Sequence, residues 1–184
     1  TLPILYGNKE KKVVIGRRKV IYPEITKEYP LPELNPKTLY ISLDDGFLIR
    51  KEVFDEIQYD ENLYWNEDAD FGIQYMIKYG WESIVLLDDV LLIKYGHEAI
   101  QDKITSYSCP SERIFRGMHN FYMKNSFYLR KDRKEFAYLL RMIGRLYYLG
   151  GEKLLGFQYL LNAFSTDKSI KSLRYFLASL LGIS

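Results

Sequence analysis

The spacing of the apolar residues changes once along this chain, and that change limits its fold more than any other feature. Up to about residue 95 they come in short runs, VVI at 13–15, FLI at 47–49, SIVLL at 83–87 and VLLI at 90–93, each closed by a glycine or by charged residues. Runs of that length suit β-strands. From residue 111 onward the apolar residues recur at intervals of three and four, the signature of amphipathic helices. An α/β part over residues 1–109 followed by a helical tail over 110–184 is the expected organisation. A chain of 184 residues buries one sizeable core, so one domain with an appendage is the economical reading.

Charge follows the same division. Residues 1–39 carry eight basic and four acidic side chains, 40–102 carry four and fifteen, and 103–184 carry fourteen and five, for net charges of +4, −11 and +9. An acidic middle ahead of a basic aromatic tail points to two tasks. It argues against nucleic acid as a partner, because the middle repels phosphate and the basic aromatic residues sit at helical core spacing. The single cysteine, Cys109, excludes an intramolecular disulfide framework and reads as a packed or idle thiol in a reducing compartment. No secretory signal and no run of about 20 apolar residues is present, so a cytoplasmic protein, soluble or peripheral at a membrane, is expected. The chain opens on Thr1 without an initiator methionine, as a piece of a longer protein would. There is no internal repeat, P-loop, G-x-G-x-x-G, G-x-S-x-G or H-E-x-x-H.

Within the first part, KKVVIGRRKVIY reads as a basic strand with a bend or bulge at Gly16, and Pro23, Pro30, Pro32 and Pro36 make residues 23–37 an extended loop. The basic residues there either meet phosphates or form a solvated hairpin. Thr38–Ser42 leads as a short strand into Asp44, Asp45 and Gly46, with Gly46 placed where backbone approaches a ligand or a neighbouring strand. Trp81–Ile93 reads as two short strands parted by a turn at Asp88 and Asp89. In the tail, Ser111 can cap a first helix, a second stops at Gly150 and Gly151, and two more run over about 154–164 and 170–181.

The chemically informative stretch is Phe47–Trp81, centred on Glu67, Asp68, Ala69 and Asp70. Asn66 has the chemistry of a helix N-cap and Gly80 that of a stop. On a helical wheel Asp68 falls in the arc of Phe71, Gly72, Tyr75 and Tyr79 and is expected to point inward, with Glu67 and Asp70 to the sides, nearer Gln74 and Lys78. The helix dipole favours a carboxylate in the first turn, and aromatic neighbours limit its water, which suits a general base. The dipole alone also explains acidic residues in first turns.

The order DDGFLIRK, EVFDEI, YDENLYW, EDAD and a helix closing at YGW resembles the acceptor-side half of GT-A glycosyltransferases, and is similar to family 2 enzymes of the rhamnosyltransferase kind. A more distant likeness is to the C-terminal region of galactosyltransferases. Roughly a third of the chain carries the resemblance, and MKNSFYLRK is similar to the stretch that follows the catalytic half in such enzymes, with Lys124 in place of an arginine.

The resemblance implies a mixed-sheet GT-A fold and inverting transfer of a sugar from a nucleotide-sugar donor to a glycan or lipid-linked acceptor. Asp68 would be the catalytic base. Trp65, Glu67, Asp70 and Gly46 would bind the acceptor, and manganese or magnesium would bind with His97 as a ligand. Ile93 or Lys94 stands where the family's histidine is expected, so His97 serves only if the loop is longer; the alternative is a locally bonded surface histidine. Asp44 and Asp45 are too close to Asp68 to be the family's D-x-D, and the donor half should precede this chain. In the tail, Arg130, Lys131, Arg133, Lys134, Arg141 and Arg145 surround a helix offering Phe136, Leu140 and Tyr147, which suits an anionic membrane surface. The rival reading is a non-catalytic module docking on membrane, glycan or another subunit.

Overall fold

The computed structural model describes residues 5, 7–41, 46–95 and 112–181, and the side chains of the last span from Phe115 onward. The architecture is mixed α/β. Two compact units divide the chain, Thr1–Asp60 with Glu67–Asp102, and Glu61–Asn66 with Lys103–Ser184. No shift of composition marks the short segment Glu61–Asn66, which belongs with the helices.

The first unit is organised on strand β1, Val13–Ile21. Val13, Val14 and Ile15 are each buried to within 1% exposure, as a run of β-branched residues in a central strand should be. Strand β4, Ile84–Tyr95, runs parallel along its whole length. Two short antiparallel strands share the other edge: β2, Thr26–Tyr29, pairs with Arg18–Ile21, and β3, Phe47–Ile49, pairs with Val13–Ile15.

Two expectations are corrected here. Residues 26–29 form a strand where an uninterrupted loop is expected, because the bond from Tyr22 N–H to the Ile25 carbonyl (2.8 Å) turns the chain back on β1. The basic side chains of this hairpin have local partners: Arg17 and Lys19 each reach Glu28 at 3.5 Å, and Arg18 lies 4.2 Å from the Tyr29 ring. Residues 84–95 are one strand, not two with a turn. Asp88 and Asp89 are accommodated as a bulge, the partner of β1 jumping from Leu87 opposite Gly16 to Val90 opposite Arg17. Arg17 ties the bulge down through the Asp88 carbonyl (2.9 Å) and carboxylate (3.2 Å). Gly16 leaves it room, since a Cβ there would lie 2.2 Å from Leu91 Cγ. The expected bulge at Gly16 is thus present, expressed in its neighbour.

Helix α1, Lys51–Glu56, and helix α2, Glu67–Tyr79, follow β3. They pack Val53, Phe71, Tyr75 and Met76 against Val13, Ile15, Ile41 and Ile84. Arg50, between β3 and α1, donates to the carbonyls of Lys11 (2.8 Å), Leu5 and Asn8 (3.2 Å), so the basic end of FLIRK clamps the segment before β1.

The second unit contains α3, Glu112–Leu129, α4, Arg133–Leu149, α5, Lys153–Asp167, and α6, Ile170–Leu180. Asp132 caps α4 by accepting from the backbone N–H groups of Lys134 (2.8 Å) and Glu135 (3.3 Å). The stop at Gly150 and Gly151 is as expected, Gly151 taking φ 96°. Helices α4 and α5 cross where Gly144 meets Gly156, so closely that a Cβ on Gly156 would lie 2.7 Å from the Gly144 carbonyl. Beneath the crossing, Arg141 is 7% exposed and donates to Asp167 (2.8 Å) and to Ser172 Oγ (2.5 Å). Arg141, Phe136 and Leu140 are therefore core residues and unavailable to a membrane. Among the described residues no helix is long and apolar enough to cross one.

Candidate functional site

Helix α2 begins at Glu67, directly after Asn66, whose φ of 60° is left-handed and not the extended conformation of an ordinary N-cap. It ends as the sequence indicates: Gly80 takes φ 72° and donates to the Met76 carbonyl at 3.2 Å. Three carboxylates share its first turn. Glu67 is exposed, Asp68 half-buried and Asp70 fully buried at 0%.

The wheel expectation needs correction for Asp70. Asp68 lies in the arc of the buried aromatics yet keeps partial access to solvent, whereas Asp70, placed to the side, is the innermost carboxylate. A wheel reports only the helix's own apolar residues and is blind to neighbours that cover a polar one. Its expected proximity to Gln74 holds: Gln74 Nε2 donates to Asp70 at 2.8 Å and lies 3.5 Å from the Gln58 carbonyl. Asp70 is thus held by a side chain one turn on, which suits positioning more than contact with a ligand.

Tyr59 completes the surface around Asp68. Its ring stacks on Phe71 at 4.8 Å, beside Phe54 at 5.5 Å from the same ring, and it remains 42% exposed. Burial, and then the negative charges of Asp68 and Glu67, push its phenol above the usual range. The geometric tie is the stack itself, because Phe71 stands three residues after Asp68 on the same helix. An exposed aromatic ring beside a half-buried and an exposed carboxylate offers an apolar face for a sugar ring and acceptors for its hydroxyls. Sequence reasoning passed over Tyr59. The signal was its place at the start of YDENLYW, eight residues before Glu67.

Gly46 and Trp65 each have a packing neighbour. The space beside Gly46 is filled by β4 backbone, a Cβ there falling 2.7 Å from the Leu92 nitrogen, so of its two readings the neighbouring strand is the one present. Trp65 belongs to the helical unit, where its backbone nitrogen and Cβ lie 2.9 Å from the point a Cβ on Gly117 would occupy in α3. The same unit holds Asn62 through a 3.4 Å bond from Asn120 to its carbonyl. His97, Asp44, Asp45, Cys109 and Ser111 lie outside the described residues. Among the described residues no three of His, Cys, Asp and Glu converge on a metal position.

Comparison of the chain with protein-family models, with curated proteins and with solved structures gave no match.

Proposed function

We propose that this chain is the acceptor-side part of a GT-A-like glycosyltransferase that moves a sugar, with inversion, from a nucleotide-sugar donor to a hydroxyl of a glycan or lipid-linked acceptor. The observation that carries the reading is the start of α2, where half-buried Asp68 and exposed Glu67 precede Phe71, on which the exposed ring of Tyr59 stacks. The turn follows β3 and α1 in the order that the sequence resemblance calls for.

In this reading Asp68 takes the acceptor hydroxyl's proton as that oxygen bonds to the anomeric carbon. The bond from that carbon to the diphosphate oxygen breaks on the opposite face, and the nucleoside diphosphate leaves with its electron pair. Glu67 orients the acceptor and Tyr59 stacks on it; Trp65 remains an acceptor contact on the resemblance alone. The resemblance implies manganese or magnesium at the donor diphosphate. The described residues supply no donor set for that ion, and the proton transfer at Asp68 does not run through it.

The test is turnover of a panel of nucleotide sugars with manganese or magnesium, on the longest form of the protein, beside its Asp68→Asn variant. Asparagine keeps the shape but accepts no proton, so transfer should fall roughly 100-fold with the fold intact. Near-normal turnover in the variant removes Asp68 as the base. Glycan binding without turnover in the parent protein favours the non-catalytic module.

A further inference from the structure

Helix α6 is turned inside out for a water-exposed helix. Its two buried residues are serines, Ser172 at 0% and Ser179 at 9% exposure, while Ile170, Leu177, Leu180 and the adjoining Leu181 are 73%, 45%, 56% and 72% exposed. Local chemistry accounts for the inward serines. Ser172 Oγ accepts from Arg141 and lies 3.2 Å from Ser169 Oγ, which itself donates to Asp167 (2.8 Å), and Ser179 donates to the Phe176 carbonyl (2.6 Å). The buried network around Ser172, together with Phe176 against Phe157 (4.9 Å) and Phe164 (6.3 Å), sets which side of α6 faces the unit and leaves these leucines outward.

The outward face has a definite charge. Lys168, Lys171 and Arg174 are exposed, and no acidic residue follows Asp167. At 100° per residue, Leu180, Leu177, Ile170 and Leu181 span one arc, with Arg174 and then Lys171 along its flank. Lys171 and Arg174 line a shallow groove with Ile170, Tyr175 and Ala178. A second groove, by the start of α6, is bordered by Arg130, Arg133, Lys134 and Lys168; the one carboxylate there, Asp167, is engaged by Arg141.

We infer that α6 is an interfacial helix that lies flat on an anionic lipid bilayer, its leucines among the acyl chains and its flanking cations at the phosphates. An apolar arc with cations along one flank and no carboxylate on the helix is the complement of such a surface. A second copy of the chain fits less well: a two-fold contact through this face would bring a second set of the same cations and no carboxylate of α6 to pair with them. The inference is independent of the catalytic reading, since no residue of α2 takes part.

The test is sedimentation of the full chain with vesicles of phosphatidylcholine alone or mixed with phosphatidylglycerol, at low and raised salt, with two variants. Leu177→Ser/Leu180→Ser removes apolar area, and Lys171→Glu/Arg174→Glu reverses the flank; all four side chains are exposed, and circular dichroism checks that the helices persist. Binding to the anionic vesicles should exceed binding to the neutral ones by roughly tenfold or more, weaken with salt, and drop roughly tenfold in each variant. Equal binding to both vesicle types at low salt overturns the inference. So does anionic binding that both variants retain, which would place the contact elsewhere. If vesicles do not bind and light scattering shows a dimer that the leucine variant dissociates, the occupant is a second copy and the bilayer is wrong.

Discussion

Gly72 shows at the level of one residue why α2 can lie where it does. A Cβ at this position would stand 2.2 Å from the Ile41 carbonyl oxygen, and backbone does not yield as the tip of a side chain does. Alanine gains about 1 kcal/mol in helix propensity over glycine. Overpacking against a fixed backbone costs about 1–3 kcal/mol, so the clash should win. Gly72→Ala is expected to lower the urea midpoint of the sheet unit, and an unchanged or raised midpoint would mean that α2 shifts freely. Of the residues in the first turn, the sequence disclosed the ones whose position follows from the helix alone: Asp68 on the aromatic arc, and Asp70 beside Gln74 four residues on. It did not disclose the burial of Asp70 or the approach of Tyr59, because both depend on how the segment before α2 folds back on the helix, which a helical wheel does not record. Gly46 was legible as a close approach, but only the fold says that strand β4 fills the space.

Among the elements, those with repetition in their sequence were legible and those settled by pairing were not. The positions of α4, α5 and α6 follow from three- and four-residue spacing, with α4 closed by Gly150 and Gly151. The hairpin at Thr26–Tyr29 has no apolar alternation, since TKEY sits on the sheet edge, and strand β4 hides its continuity behind two aspartates that a bulge against β1 absorbs. The crossing of α4 and α5 yields a graded prediction. At Gly144 a Cβ would first meet Leu160 Cγ at 2.9 Å, with the Gly156 carbonyl and Tyr159 Cβ at 3.0 Å. At Gly156 it would meet the Gly144 carbonyl and the Tyr148 nitrogen, both at 2.7 Å. Gly144→Ala should thus cost less than Gly156→Ala, which should cost about 1–3 kcal/mol. Thermal denaturation followed by helical circular dichroism decides it; the reverse ranking would place the close contact elsewhere.

Across the molecule as a whole, charge has two different uses. The exposed pairs, such as Lys78 with Glu56 at 2.7 Å, contribute little to folding because water and salt screen them. The pair of Arg141 with Asp167 is enclosed, at 9% and 7% side-chain exposure, and joins α4, the end of α5 and the start of α6. Burial works against the Asp167 charge, but the Ser169 amide, the Ser172 and Ser169 hydroxyls and the Arg141 guanidinium outweigh it and bring the carboxyl down to about 2. The folded value lies below the ordinary 3.8, so the unfolded chain binds this proton first. The stabilisation from ionised Asp167 is therefore complete above about pH 4 and disappears as pH falls through about 2, a change of about 2 kcal/mol. Asp167→Asn removes the ionisation and leaves a buried guanidinium half-partnered, at a cost of roughly 3 kcal/mol near neutrality. Other carboxylates titrate over the same range, above all in the acidic middle, but they do so in both proteins and cancel in the comparison. The gap in urea stability between the parent chain and Asp167→Asn, followed by the loss of helical circular dichroism, should be widest at pH 5–7 and narrow markedly toward pH 2. A gap of constant width would mean that the carboxyl is already protonated in the folded protein, and that α6 is held to the bundle by neutral hydrogen bonds instead of charge.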